Sequence, residues 1–156
     1  MSRAGDLWQD YLWRRRRQLR LARALRKRRE LTSVVDRTDL IRPGDVLAFT
    51  TLRNEAARLP YFLAHYRALG VRHFLVVDND SDDGSREILG DAADVSLWHS
   101  KASYRASRFG VDWMQGLLMR YGRGHWCVSV DADELLVYPH HDTRPLPALC
   151  EFLDGE

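Results

Sequence analysis

The sequence predicts an α/β fold, a mostly parallel sheet flanked by helices, and three observations support this. Short apolar runs rich in β-branched residues alternate with segments of helical periodicity along residues 46–130. The links between them are short, which is typical of βαβ units with right-handed crossovers. Charged clusters follow the apolar runs at Arg53, Asp78 and Asp131. Because ligands of open parallel sheets bind beyond the carboxyl ends of the strands, we expect these clusters to face one cleft.

The predicted elements follow from apolar period and from glycine and proline positions. Gly70 and the Gly122-Arg123-Gly124 stretch each end a helical pattern, and Pro60 lies near the start of a helix, where a missing N–H costs little. The predicted strands are residues 46–52, 74–77, 95–98, 126–130 and 135–138. The predicted helices are residues 6–30, 56–69, 85–89, 108–121 and 148–153.

Composition indicates one domain of ordinary size. The chain has 156 residues, of which 45% are hydrophobic and 10% aromatic. No run approaches the roughly 20 apolar residues of a membrane span, and the basic N-terminus lacks the apolar core of a signal peptide. We therefore expect a cytoplasmic protein, with any membrane contact peripheral. The two cysteines, Cys127 and Cys150, are interpreted as reduced structural thiols.

The charge is distributed unevenly. Residues 3–30 contain eleven Arg or Lys against three acidic residues, a balance of +8, so the remainder carries about −6 of the total +2. We divide the chain into a basic amphipathic helix at 1–30, a polar linker at 31–45 and an α/β unit at 46–156.

The basic helix allows three interpretations. Trp8, Tyr11 and Trp13 beside Arg14–Arg17 resemble an interfacial anchor, which would bind peripherally to anionic lipid at the inner face of a membrane. The helix could instead pack a few apolar residues on the body and leave its charges solvated. Nucleic acid is the least supported partner, because no recognition module is present.

The strand at 126–130 runs into three carboxylates, Asp131, Asp133 and Glu134. If the chain stays extended, Asp131 and Asp133 point to the same side about 7 Å apart. Two such charges repel by roughly 2.4 kcal/mol at an effective dielectric of about 20. A cation should therefore lie between them, and Mg²⁺ or Mn²⁺ fits oxygen ligands best.

Two familiar phosphate motifs are absent. The sequence contains no G-x-x-x-x-G-K-[ST] loop, and no G-x-G-x-x-G follows the first strand. What remains is an acidic cleft for a nucleotide diphosphate held through a metal. Lys101, Arg105 and Arg108, in or beside the loop after the third strand, are candidate phosphate contacts.

Three motifs in order resemble the family-2-like glycosyltransferases over about residues 46–139. They are Arg53-Asn54-Glu55, then Asp78-Asn79-Asp80-Ser81-Asp82-Asp83-Gly84, and finally Asp131-Ala132-Asp133-Glu134. The branch with R/K-N-E, D-N-x-S-x-D-G and D-x-D-E motifs is the most similar. A nucleotidyltransferase is the weaker rival, since its glycine-rich phosphate loop is missing.

The resemblance implies a GT-A fold and a metal-dependent hexosyltransferase-like activity, with Mn²⁺ or Mg²⁺ as cofactor. The donor would be a UDP- or GDP-sugar and the acceptor an unidentified glycan, lipid or protein. The implied donor-binding residues are Arg53, Asn54, Glu55, Asp78 and Asp131, with Glu55 and Asp78 at the base and ribose. Asp131 and Asp133 are the implied metal pair. Glu134 belongs to the same motif, and for it a structural role is an equal alternative to a role in binding.

The sequence departs from this family in two respects. Relatives continue well beyond the D-x-D segment, so the resemblance implies an N-terminal fragment whose catalytic base lies beyond Glu156. The alternative is a non-catalytic module, truncated or degenerate, that binds nucleotide sugar or docks on membranes. Asp80 also stands where many relatives carry glycine, which puts the turn geometry of that loop in question.

Overall fold

The computed structural model describes residues 3–155, apart from the side chains of residues 3–7 and 10. The predictions for the first two residues and for Glu156 lie outside the described residues. The helices are α1 (Arg3–Lys27), α2 (Leu59–Ala68), α3 (Ser85–Asp91), α4 (Val111–Tyr121) and α5 (Leu146–Asp154). The strands are β1 (Thr32–Val35), β2 (Val46–Leu52), β3 (Val71–Asp78), β4 (Val95–His99) and β5 (Trp126–Ser129).

The five strands form one sheet in the order β1-β4-β3-β2-β5. β2 pairs in parallel with both β3 and β5, and β3 pairs in parallel with β4. Only β1 runs antiparallel, at the edge beside β4. The predicted α/β fold with a mostly parallel sheet flanked by helices is confirmed.

The sheet is covered on both faces, which explains why its strands are continuous apolar runs. All seven residues of β2 are buried. Ala48 packs in one apolar cluster together with Phe62 and Leu63 of α2, whereas Phe49 packs on the opposite face with Trp113 of α4. The alternation of side chains along β2 therefore supplies both halves of the core.

Several elements differ from the prediction, and the predicted helix at 56–69 begins only at Leu59. Residues 32–35 of the predicted linker form β1, because Thr32 and Ser33 pair with His99 and Trp98 of β4. The predicted strand at 135–138 is wrong, since no ladder forms there. The predicted helix at 108–121 begins only at Val111, after a left-handed turn.

The C-terminal half of α1 packs on α4. Ala24 is fully buried at this contact, and Gly116 of α4 allows the close approach, because a Cβ there would lie 3.3 Å from the Ala24 carbonyl oxygen. The Glu30 carboxylate accepts hydrogen bonds from Lys27 Nζ at 2.7 Å and Trp113 Nε1 at 3.0 Å. Burial raises the pKa of Glu30, but these two hydrogen bonds, together with the charges of Lys27 and Arg26, outweigh it and leave the pKa lowered.

Within residues 3–155, no helix is long and apolar enough to cross a bilayer.

Gly70 fixes the C-terminal segment against the end of α2. Its φ of +95° is in the region that favours glycine, and a Cβ there would lie 2.7 Å from Pro147 Cδ. Gly44 has a similar φ of +88° with nothing within 4 Å of its Cβ position. The two glycines share a left-handed backbone conformation, which would strain any other residue, and they differ in packing.

We expect Gly70→Ala to lower the free energy of unfolding by about 2–4 kcal/mol, because a backbone penalty and a steric overlap add. The matched variant Gly44→Ala should lose only about 1 kcal/mol, the backbone penalty alone. Urea denaturation followed by circular dichroism measures both. Equal losses for the two variants would contradict the Pro147 contact.

Candidate functional site

The candidate site is a cleft of about 400 Å³ at the carboxyl ends of β2 and β5. These strands are parallel neighbours, so both ends reach the same edge of the sheet. The residues that line the cleft are Thr51, Leu52, Arg53, Glu55, Asn79, Tyr104, Asp131, Ala132 and Asp133. Two of the three predicted charged clusters therefore lie together.

The acidic segment after β5 is a turn, not an extended strand. The last ladder bond runs from Val130 N to Phe49 O at 3.1 Å, and the Glu134 N–H then donates to the Asp131 carbonyl at 3.0 Å. Ala132 is buried between the two aspartates, whereas both aspartates are exposed. The assumed extended geometry is wrong, yet Asp131 and Asp133 both line the cleft because the turn buries the alanine between them.

Arg53 and Glu55 line the cleft, and Asn54 turns away from it. Asn54 has a φ of +58°, its N–H donates to Ser81 Oγ at 2.9 Å, and its Oδ1 accepts from Asp82 N at 3.0 Å. An asparagine tolerates this left-handed conformation better than most residues. Asn54 thus ties the end of β2 to the acidic loop after β3.

A second tie fixes the Glu55 backbone. The Glu55 N–H donates to Ser85 Oγ at 2.9 Å, and Ser85 Oγ donates in turn to Asp83 Oδ1 at 2.6 Å. The hydrogen bond from the Ser85 hydroxyl, and after it those from the Ala56 and Ser85 N–H groups, lower the pKa of Asp83. The Glu55 carboxylate forms an ion pair with Arg58 at 2.6 Å. The loop after β2 is therefore held in one conformation at the cleft wall.

Asp78 lies at the end of β3 but is enclosed. Its side chain is fully buried, and its Oδ2 accepts from Arg86 Nη2 at 2.9 Å and from Arg86 Nε at 3.1 Å. Asp78 is not among the described residues that line the cleft. Asn79 is there instead, and its Nδ2 donates to the carbonyl oxygens of Ser100 and Ala102.

None of the three candidate phosphate contacts, Lys101, Arg105 and Arg108, is among the described residues that line the cleft. Lys101 and Arg105 are exposed. Arg108 is engaged elsewhere, since its Nε donates to Asp112 Oδ1 at 2.9 Å and its Nη2 to Gln115 Oε1 at 3.2 Å. Their predicted role in binding phosphate stays a prediction.

Asp80 adopts the backbone conformation that favours glycine. Its φ is +60°, in the left-handed region, so the turn keeps this geometry although aspartate stands where many members of the resembled family carry glycine. The Asp80 carboxylate accepts from His99 Nε2 at 3.1 Å. That hydrogen bond is the main cause that lowers the pKa of Asp80. Partial burial raises the pKa by less, and the charge of Lys101 lowers it further.

A strained loop supplies Tyr104, which sequence reasoning missed. Arg108, Phe109 and Gly110 are three consecutive residues with positive φ, at 53°, 57° and 79°. Such conformations cost about 1–3 kcal/mol for a residue other than glycine and persist only where surrounding contacts impose them. The same loop places Tyr104 in the cleft wall, where burial first and then Asp131 and Asp133 raise the pKa of its hydroxyl.

Thr51 is a further lining residue that the sequence did not single out. It is only 5% exposed, and its Oγ1 has no hydrogen-bond partner among the described residues. A buried hydroxyl without a partner costs free energy, and this one lies against Gly110 of the loop before α4. No motif marks this threonine, because it lies inside the apolar run of β2.

The cleft contains few groups that bind metal by themselves. Among the described residues, no three His, Cys, Asp or Glu side chains converge on one point. Asp131 and Asp133 are exposed carboxylates, and neither forms an ion pair within residues 3–155. This donor set fits Mg²⁺ or Mn²⁺ only where a ligand adds oxygens, as phosphates do in many enzyme sites.

Comparisons with known proteins identify similar glycosyltransferases. A glycosyltransferase family 92 protein of Oryza sativa subsp. japonica is 28% identical over 104 residues, which are 60% of this chain and 16% of that protein. Family 92 proteins of Arabidopsis thaliana and Ricinus communis are 28% and 25% identical over 64% and 62% of this chain, and 17% of each protein. No family model matches the chain.

The similarity is to glycosyltransferases, which confirms the general part of the resemblance. The family-2-like branch stays a prediction, since the relatives are named family 92. The chain spans about one-sixth of the length of these relatives. What the whole protein does is therefore argued as a proposal.

The Arg86–Asp78 pair generates a test of whether Asp78 is structural. We expect Arg86→Met to lower the free energy of unfolding by about 2–4 kcal/mol, because it leaves a buried carboxylate unpaired. The matched variant Arg72→Met, at an exposed position on β3, should change it by less than about 0.5 kcal/mol.

The double variant Arg86→Met with Asp78→Asn should regain at least half of the loss, since no buried charge remains. Urea denaturation measures all three variants. If Arg86→Met were as stable as Arg72→Met, the ion pair would not explain the enclosed position of Asp78.

Proposed function

We propose that this chain supplies the donor-binding half of a glycosyltransferase that moves a sugar from a nucleotide-diphosphate sugar to an acceptor. One observation carries the proposal: the two exposed aspartates of a D-x-D turn lie beside Arg53 and Glu55 at adjacent ends of parallel strands. The similarity to glycosyltransferases supports the reaction class. The donor would be a UDP- or GDP-sugar, and the acceptor a glycan, lipid or protein.

The charges of the cleft favour a metal-bound donor. Three carboxylates, Glu55, Asp131 and Asp133, and one guanidinium, Arg53, line it. Because Arg58 pairs with Glu55, the two aspartates carry the charge that is not neutralised. A diphosphate alone would be repelled there, whereas a divalent cation would bind both the aspartates and the phosphate oxygens.

The residues then have separate roles. Asp131 and Asp133 would hold Mn²⁺ or Mg²⁺, which when bound neutralises charge that develops on the leaving nucleotide diphosphate. Arg53 would contact the same phosphates by charge-assisted hydrogen bonds. Glu55, fixed by Ser85 and Arg58, would accept hydrogen bonds from the nucleoside. We also propose that the chain has the GT-A fold and belongs to the family-2-like branch described above.

A second candidate role, peripheral membrane docking, is favoured by the two faces of α1. At about 100° per residue, the apolar stripe spans one side of the helix, opposite the buried Ala24. The stripe consists of Trp8, Tyr11, Leu12, Leu19 and Ala22. Arg14–Arg17 are exposed and go once around the helix, so they interrupt the stripe at Arg15. A helix with an apolar stripe away from the body and a cationic turn fits an anionic lipid surface.

The donor proposal is tested by calorimetric titration of UDP and GDP with and without Mn²⁺. We expect Mn²⁺-dependent binding that Asp133→Asn and Asp131→Asn each weaken about tenfold or more, because each removes a charged ligand. The matched control Asp142→Asn, an exposed aspartate outside the cleft, should bind as the wild type does. Binding that needs no metal and survives Asp133→Asn would contradict the donor site.

The membrane role is tested by sedimentation with vesicles of phosphatidylcholine, alone or with phosphatidylserine. We expect binding only to the anionic vesicles, weakened about 10–30-fold by Arg15→Gln with Arg16→Gln, since each basic residue near such a surface contributes about 1 kcal/mol. The controls Tyr61→Ala and Arg72→Gln, exposed on the body, should bind normally.

Trp8→Ala with Tyr11→Ala should weaken binding as well, because the stripe provides the apolar contact. Equal binding to neutral vesicles would contradict this role, and so would wild-type binding by both of these double variants of α1. Displacement of the vesicles by duplex DNA at low concentration would instead favour nucleic acid as the partner.

A further inference from the structure

The loop between β4 and α4 presents two adjacent aromatic rings, one of which lines the cleft. Tyr104 lines the cleft and is 40% exposed, and Phe109 is 62% exposed. Their ring centroids are 5.8 Å apart and their planes meet at 80°, an edge-to-face pair. Exposed aromatic surface beside a polar cleft is a feature of binding sites.

The loop is held in place by a dense set of contacts. The Phe109 N–H donates to the Tyr104 carbonyl at 2.9 Å, and so does the Ser107 hydroxyl at 2.7 Å. The Gly110 N–H donates to Ser107 Oγ at 3.0 Å. These bonds close the loop on itself, so Tyr104 and Phe109 are fixed relative to each other before any ligand arrives.

The loop is also pressed against β2. A Cβ at Gly110 would lie 2.8 Å from Thr51 Cβ, so only glycine allows this approach. Thr51 is the lining residue whose buried hydroxyl has no partner among the described residues. The strained turn therefore seats the aromatic pair against the end of β2 at the cleft wall.

We propose that Tyr104 and Phe109 form a stacking platform for a pyranose ring. A pyranose has an apolar face of C–H bonds, and the negative face of an aromatic ring attracts such a surface. This inference rests on the proposed function, since the ring would be the donor sugar or the acceptor glycan.

The test compares three classes of probe on the full chain. Calorimetry with Mn²⁺ uses UDP and GDP, then UDP-glucose, UDP-galactose and GDP-mannose, and saturation-transfer NMR uses methyl glucoside, methyl galactoside and methyl mannoside. Phe109→Ala and Tyr104→Ala are compared with Tyr61→Ala, which removes an aromatic ring that is 76% exposed on α2. Far-UV circular dichroism verifies that each variant is folded.

We expect Phe109→Ala and Tyr104→Ala to weaken sugar-containing probes about three- to tenfold, the usual range of one aromatic contact. Phe109→Ala, outside the lining of the cleft, should leave UDP and GDP unchanged. Loss with nucleotide sugars assigns the platform to the donor, and loss with methyl glycosides assigns it to the acceptor. Tyr61→Ala should bind every probe as the wild type does.

Equal losses for a nucleotide and its sugar conjugate would overturn the platform, because the rings would then contact the base. Wild-type binding of all sugar probes by both variants would overturn it too. If UDP and GDP fail to bind the wild type, the proposed function fails, while the methyl glycosides still decide the platform. No binding of any sugar probe overturns both.

Discussion

One buried carboxylate, that of Asp112, holds together the side of the molecule that carries α1 and the loop between β4 and α4. It is fully buried on α4 and contacts Arg108 in the loop and Arg23 on α1, the latter at 2.9 Å. A buried carboxylate that loses its partners costs several kcal/mol, so both guanidinium groups are held. Arg23 Nη2 also donates to the Ala106 carbonyl at 2.9 Å, which ties α1 directly to that loop.

This shared anchor connects features that lie far apart in the sequence. Arg108 is fixed in a left-handed conformation by Asp112, and that conformation turns Phe109 outward toward Tyr104 at the cleft. Arg23 fixes the direction in which α1 leaves the body. A lipid surface bound to the exposed stripe of α1 would therefore be held at a defined orientation to the cleft, because one carboxylate positions both.

The parts of the fold that could be predicted from the sequence depend on local pattern, and the parts that could not depend on distant contacts. The apolar runs of β2 and β3 and the turn residues at Gly70 predicted the parallel sheet and placed Arg53, Asp131 and Asp133 at one edge. β1 was missed because its four residues are mostly exposed and gain their ladder only from β4. Tyr104 was missed because its position depends on Asp112 and Thr51.

The carboxylates that follow β3 and β5, the strands on either side of β2, differ in how far their charge is balanced. Asp78 is buried with Arg86 as a counter-charge, so its charge is balanced before any ligand arrives. Asp131 and Asp133 lie in an exposed turn, and no arginine or lysine of residues 3–155 forms an ion pair with them. Their repulsion is unfavourable in the free protein and is relieved only when a cation binds, so part of the binding free energy of a metal-bound donor would come from that relief.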